Sequence, residues 1–163
     1  MIAMKLKTIA IYFTFFLLPV IFFSPYLFRY PQPYILPTSD LGTDLTREVI
    51  PTATYLQDIF RSAGNIALWR PYLLSGAPLA GHPVFPLLYP PYWLVLALPI
   101  SLALNLMAVL DFAWSTAGMF LLLRDKFGRS TLASFLGALV FGFSPRWVGY
   151  LSGGHWSMLA AVA

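Results

Sequence analysis

Long apolar runs separated by polar segments dominate the chain. Residues 8–28, 101–123 and 130–150 are each apolar over about the 20 residues that a helix needs to cross a hydrocarbon core ~30 Å thick. Residues 156–163 begin a fourth apolar run. The pattern predicts an all-α integral membrane protein, a multi-span helical bundle to which this chain contributes three full spans and the start of a fourth.

The polar segment 29–100 is predicted to be one large outer loop. Apolar side chains recur in it at the spacing of an amphipathic helix, at Leu45, Val49, Leu56, Ile59 and Phe60. Pro51 suits the first turn of the second half of this helix, and Gly64 supplies a stop. We expect a juxtamembrane helix from Asp44 to Ser62 that lies at the membrane interface.

Prolines interrupt the apolar segment 84–99, at Pro86, Pro90, Pro91 and Pro99. Fully helical, 16 residues would reach only about 24 Å, and the prolines oppose full helicity. The segment is therefore predicted to be re-entrant or interfacial. In the third span, Gly137, Gly142 and Gly149 would permit close helix approach, and a break is expected at Ser144-Pro145.

Charge in this chain indicates topology and gives no sign of a nucleic-acid partner. Charged residues make up 10% of the sequence and hydrophobic residues 59%, whereas soluble domains carry about 25% charged residues. The net charge is +4, and no basic run is interleaved with aromatic residues. Lys5 and Lys7 precede the first run, and Arg124, Lys126 and Arg129 follow the second. The positive-inside bias places both clusters in the cytoplasm, with the amino terminus inside and segment 29–100 outside.

The carboxylates of the outer loop are the first candidates for chemistry. Asp40, Asp44 and Glu48 are spaced four apart, so a helix would present them on one face. Such a face could bind a divalent cation or provide a general base near the bilayer. Helix capping and solvation explain the same spacing, because aspartate at a helix start accepts backbone N–H bonds.

Asp111 lies near the centre of the second span, where a charge costs about 2.5–3.5 kcal/mol on insertion scales. It could serve a proton or ion pathway. Alternatively, it is neutral or paired within the bundle, with Ser115 or with a polar group on another span. The functional alternative predicts a non-catalytic transport or assembly subunit that uses this intramembrane acid.

Histidine and aromatic side chains complete the candidates. His155 follows a Gly-Gly turn on the predicted outer side and could relay a proton or bind phosphate, although a structural role is equally compatible. Trp69 and Tyr72 could stack on a sugar or anchor the chain at the interface. The sequence has no cysteine and only two histidines, so we assign no zinc site.

An ordered set of residues runs through the loop and the spans. It comprises Asp44, Pro51, Ser62-Ala-Gly64, Leu68-Trp-Arg-Pro-Tyr72, Gly76-Ala-Pro78, Phe85, Tyr89-Pro90, Gly142-Phe-Ser144, Gly154-His155 and Met158-Leu-Ala-Ala161. This set resembles the amino-terminal part of the YfhO family, whose members are bacterial multi-span proteins of the GT-C glycosyltransferase type. The family often has Trp-Asn-Pro where this chain has Trp69-Arg70-Pro71. The resemblance covers this whole chain but only the first part of such a protein, so the chain alone is expected to be inactive.

The resemblance implies a GT-C-type bundle in the bacterial cytoplasmic membrane. Its activity would be sugar transfer from a polyprenyl-phosphate donor to a glycopolymer or glycolipid acceptor of the envelope, at the extracytoplasmic face. Asp44 would be the catalytic base, and Asp40 would assist it or help bind a divalent cation. Arg70 and His155 would face the donor phosphate, with Trp69 and Tyr72 beside the substrate. Membrane lipid is the remaining expected partner.

Overall fold

The computed structural model describes residues 2–28, 43–73, 75–82 and 86–161, and most of them are helical. The longer helices are α1 (Ile2–Phe22), α3 (Ile50–Ala63), α5 (Ile100–Leu121), α6 (Thr131–Gly142) and α7 (Pro145–Gly153), and the short ones are α2 (Ser24–Leu27), α4 (Leu94–Ala97) and α8 (Trp156–Ala160). Two strands, β1 (Trp69–Arg70) and β2 (Ala77–Pro78), pair antiparallel. Leu45–Val49 and Leu122–Lys126 are π-helical turns, and Pro90–Trp93 is a 3₁₀ turn.

Two helical stretches in the described part of the chain are long and apolar enough to cross a membrane. They are Ile100–Lys126 and Thr131–Gly153. A shorter apolar stretch, Ala10–Phe22, lies in the described part of α1. α1 ends at Phe22, six residues before the predicted end of the first span. The mostly helical, membrane-like character is thus present, with two helices of spanning length in the described part of the chain.

α5 is the central helix of the hydrophobic core. Its buried side chains include Leu104, Met107 and Phe112, and it packs against α1, α6 and the loop helices α3 and α4. The same core includes Leu151 and Trp156, at the end of α7 and the start of α8. α1, α8 and the loop helices α3 and α4 therefore all pack against α5.

The α5–α6 contact is close because of a glycine. A Cβ atom added at Gly142 would lie 1.8 Å from Oγ1 of Thr116, and one at Gly137 would lie 2.6 Å from Cδ1 of Leu123. Thr116 is fully buried and donates its hydroxyl to the carbonyl of Phe112. Gly149 has no atom within 4 Å of an added Cβ. Of the three glycines predicted to permit helix approach, Gly142 lies at a close approach of α5 and α6, where an added Cβ would also lie 3.2 Å from the backbone Cα of Thr116.

The helical part of the outer loop agrees with its periodicity. The π-helical turn Leu45–Val49 continues into α3, which has Pro51 in its first turn. α3 ends at Gly64 with a left-handed φ of 68°, a conformation that favours glycine. On its buried face Gln57 donates two hydrogen bonds, to the carbonyls of Val95 (2.8 Å) and Leu98 (2.7 Å). These hydrogen bonds join α3 to the proline-rich segment.

The proline-rich segment runs alongside α5. After the 3₁₀ turn and α4, Pro99 precedes the first residue of α5. The hydroxyl of Tyr89 donates to a carboxylate oxygen of Asp111, which is the twelfth of the 22 residues of α5. Tyr89 therefore contacts the middle of α5, about 16 Å along the axis from its start.

Candidate functional site

Asp44 and His155 lie close together although they are far apart in the sequence. Nε2 of His155 lies 3.3 Å from Oδ2 of Asp44, and the two side chains are 49% and 44% exposed. Asp44 directly precedes the helical turn that begins at Leu45, and His155 directly precedes α8. Both side chains are thus fixed by helix starts and remain accessible to a ligand.

The turn that carries His155 packs directly on the start of the loop helix. Gly154 has a φ of +82°, and a Cβ atom there would lie 2.2 Å from the backbone nitrogen of Leu45. The backbone N–H of His155 donates to the carbonyl of Tyr150 at 2.9 Å. Glycine is required at this turn for its conformation and for the close approach of the two backbones, and the contact sets the position of His155 relative to Asp44.

A second ion pair lies one turn farther along the same helical segment. Nη1 of Arg70 is 3.5 Å from Oε2 of Glu48 and also donates to the hydroxyl of Thr52. Asp44, Glu48 and Thr52 are spaced four apart, so one face of the segment carries both ion pairs. The Arg70 side chain is only 11% exposed. Arg70 therefore binds the loop helix and is not part of the ion pair between Asp44 and His155.

Tyr92 is buried within electrostatic range of Arg70. Its hydroxyl is buried and makes no hydrogen bond to the described part of the chain. Burial raises the pKa of Tyr92, and the positive charge of Arg70 opposes that shift. The guanidinium thus faces a neutral phenol and one carboxylate, an arrangement in which Glu48 supplies the counter-charge.

Trp69 and Tyr72 form an exposed aromatic surface beside Arg70. Trp69 is 53% and Tyr72 is 84% exposed. The Trp69 ring covers Gly76, where a Cβ atom would lie 2.5 Å from ring atom Cζ2. Tyr55 of α3 donates its hydroxyl to the carbonyl of Trp69 at 3.1 Å and meets the Tyr72 ring edge-on at 6.1 Å. The surface could stack on a sugar or lie among lipid headgroups.

Asp111 is 2% exposed and bonds to Tyr89 through one carboxylate oxygen. Its other oxygen, Oδ2, makes no hydrogen bond to the described residues. Ser115, the partner considered from the sequence, instead donates to the carbonyl of Phe112. The partner of Asp111 is therefore a loop tyrosine 22 residues away, because the proline-rich segment runs beside α5.

Asp40 falls outside the residues that the structure describes. Among those that it describes, no three His, Cys, Asp or Glu side chains are grouped so that they could hold a metal ion. The predicted use of Asp40 and Asp44 for a cation therefore stays a prediction.

Thr52, Tyr89 and Gly154 are the site residues that were not singled out as ligands or bases. For Thr52 the continued four-residue spacing from Asp44 and Glu48 was available as a signal. For Tyr89 and Gly154 the determining contacts join distant parts of the chain, and no local pattern indicates them.

No protein-family model, curated protein or solved structure matches this chain.

Proposed function

We propose that this chain belongs to a membrane glycosyltransferase of the GT-C type, in which Asp44 is the catalytic base. The sugar would be transferred from a polyprenyl-phosphate donor to an envelope acceptor at the extracytoplasmic face. The observation that carries the proposal is the contact between Asp44 and His155, two half-exposed groups held together by a glycine turn. The contact places a candidate base beside an orienting group, and both residues belong to the set that resembles the YfhO family.

The chemistry requires one proton acceptor close to the acceptor hydroxyl. As that hydroxyl oxygen bonds to the anomeric carbon of the donor sugar, its proton passes to a carboxylate oxygen of Asp44. The bond from the anomeric carbon to the phosphate oxygen breaks, and the lipid phosphate leaves with the electron pair. A positioned base of this kind contributes about 10²–10⁴-fold to the rate.

His155 acts on Asp44 as a positioning residue. With its proton on Nε2, the ring would hold Oδ2 of Asp44 across the observed 3.3 Å and leave the other oxygen for the acceptor. A carboxylate oriented in this way loses less freedom when the acceptor binds. A contact between His155 and the donor phosphate would require the doubly protonated ring, in which Nδ1–H donates to a phosphate oxygen while Nε2–H donates to Asp44.

Arg70 supports the site from inside the protein. Its contacts with Glu48 and Thr52 hold the turn that follows Asp44, and its low exposure favours this role over a direct contact with the donor phosphate. Trp69 and Tyr72 remain the proposed sugar-stacking surface, since both are exposed beside Arg70.

A transport or assembly subunit is the second candidate, and the buried Asp111–Tyr89 pair favours it. An acid that is 2% exposed and lies midway along a helix of spanning length is a functional candidate by default. In this alternative Asp111 carries the function, and the contact of Asp44 with His155 is only structural.

The full-length protein in membranes, supplied with a labelled polyprenyl-phosphate sugar, tests the two candidates. The transferase proposal predicts transfer in wild type and in Asp111→Asn, with loss in Asp44→Asn at matched expression. If no donor supports transfer, or if Asp111→Asn abolishes transfer while Asp44→Asn retains it, the proposal is wrong.

A further inference from the structure

Arg146 is an exposed cation in the membrane-length stretch Thr131–Gly153, just after the break at Ser144. In the described part of the chain its guanidinium makes no ion pair with a carboxylate. Ionisable side chains in segments of this kind are normally paired or belong to a substrate site. The charge of Arg146 is therefore available to an anion.

Tyr150 holds the Arg146 side chain in place. Nε of Arg146 donates a hydrogen bond to the Tyr150 hydroxyl at 3.0 Å, and the guanidinium carbon lies 5.5 Å from the centre of the Tyr150 ring. The Tyr150 ring in turn lies 5.8 Å from the Trp147 ring, whose indole N–H donates to the carbonyl of Phe141 at 2.7 Å. The position of the guanidinium is therefore set by α7 before a ligand binds.

The bond from Nε leaves both terminal nitrogens of Arg146, Nη1 and Nη2, without a hydrogen-bond partner among the described residues. The Tyr150 hydroxyl accepts from Arg146 and keeps its own hydrogen, for which the described part of the chain supplies no acceptor. The two side chains thus present N–H groups in a planar fork together with one O–H group. Such a set of donors matches the oxygens of a phosphate, which a guanidinium can bind through two parallel hydrogen bonds.

Tyr150 also places these donors next to the ion pair at Asp44. The centre of its ring lies 6.2 Å from the centre of the His155 ring, and Nε2 of His155 lies 3.3 Å from Oδ2 of Asp44. We propose that Arg146 and Tyr150 bind the phosphate of the polyprenyl-linked donor. The inference rests on the proposed transferase, in which Asp44 acts close to the anomeric carbon that is bonded to this phosphate.

The proposal assigns the phosphate to a different arginine from the one expected from the sequence. The Arg70 side chain is 11% exposed and is paired with Glu48, whereas Arg146 is exposed and lacks a carboxylate partner in the described part of the chain. As the bond to the anomeric carbon breaks, the lipid phosphate gains negative charge. A guanidinium fixed beside it stabilises that charge without having to reorganise.

Binding of radiolabelled polyprenyl phosphate to the full-length protein in phosphatidylcholine nanodiscs tests the proposal without requiring sugar transfer. Wild type should bind this probe saturably, and uncharged polyprenol should compete at least about tenfold more weakly. Arg146→Gln should raise the Kd about tenfold or more. Arg146→Lys, which keeps the charge but not the planar fork, should give an intermediate Kd. Arg61→Gln is the matched control, because it removes an exposed arginine of α3, and its Kd should equal that of wild type.

Tyr150→Phe keeps the ring and removes the hydroxyl, so the Kd should rise about two- to tenfold. The absence of saturable binding by wild type would overturn the proposal, as would an unchanged Kd in Arg146→Gln. If Arg146→Gln does not fold, an unchanged Kd in both Arg146→Lys and Tyr150→Phe would overturn it. Competition by phosphatidylglycerol as strong as that by unlabelled polyprenyl phosphate would also overturn it, because the site would then bind lipid headgroups in general.

Asp44→Asn separates this proposal from the catalytic one. We expect it to lose transfer and to bind polyprenyl phosphate with the Kd of wild type. Full transfer by Asp44→Asn, together with probe binding that depends on Arg146, would reject Asp44 as the base and retain the phosphate site.

Discussion

The imidazole of His155 lies 3.3 Å from the carboxylate of Asp44, across 111 residues of sequence. The contact joins the start of the outer-loop helix to the turn between α7 and α8. It therefore depends on the packing of both elements around α5.

Gly154→Ala should separate Asp44 from His155. The added Cβ would lie 2.2 Å from the nitrogen of Leu45 in addition to the strain of a left-handed φ, so the turn must move away from the loop helix. Sugar transfer should fall by about 10-fold or more, as expected for a displaced catalytic group.

Gly64→Ala is the control for the backbone strain. Gly64 has a similar φ of +68° but no atom within 4 Å of an added Cβ, so it should cost only about 1–2 kcal/mol of stability and leave transfer intact. Equal loss of transfer in the two variants would contradict the proposed role of the Gly154 contact.

Gly142→Ala should destabilise the α5–α6 contact. The new methyl group would overlap the hydroxyl of Thr116, and overpacking of this kind costs about 1–3 kcal/mol. Gly149→Ala, where the space is open, should be neutral or stabilising by up to about 1 kcal/mol. Unfolding of the purified protein in detergent would compare them, and a lower stability for Gly149→Ala than for Gly142→Ala would refute the close approach.

Arg70→Met should lower the stability of the protein more than it lowers the rate of sugar transfer. It leaves the carboxylate of Glu48, which is only 29% exposed, without its counter-charge, at a cost of about 1–3 kcal/mol. In the double variant with Glu48→Gln, the loss should be smaller than the sum of the single losses by about 0.5–3 kcal/mol. A variant of normal stability with a raised KM for the donor would instead assign Arg70 to the donor phosphate.

The orientation of the chain can be tested with single cysteines, since the sequence has none. Asp58→Cys lies in the predicted outer loop and Phe127→Cys in the predicted cytoplasmic connection. An impermeant maleimide added to intact cells should label position 58 and not position 127. The reverse pattern would overturn the inside location of the amino terminus.

Several elements of this fold follow from local sequence. The apolar run 101–123 corresponds to α5, Ile100–Leu121, and the pair Ser144-Pro145 marks the break between α6 and α7. Gly64 ends α3 as expected. In each case periodicity, a proline or a glycine acts within one or two turns, so the physical cause lies within the segment itself.

The pairings across the site do not follow from local sequence. Tyr89 contacts Asp111, and Arg70 contacts Glu48. Both contacts depend on the path of the loop in three dimensions, which composition does not determine. Asp44 and His155 were both candidates, but only the packing of Gly154 on Leu45 defines their distance. Likewise, Gln57 on the buried face of α3 bonds to the proline-rich segment about 40 residues away, which no local pattern indicates.

The transfer rates of four proteins test the central claim most directly: wild type, Asp44→Asn, His155→Gln and the double variant, each full-length and at matched expression. Asp44→Asn should reduce transfer about 10²–10⁴-fold. His155→Gln should reduce it less, and the double variant should be no slower than Asp44→Asn, because His155 acts through Asp44. Asp58→Asn, an exposed acid on α3, should match wild type. Wild-type transfer by Asp44→Asn would contradict the account.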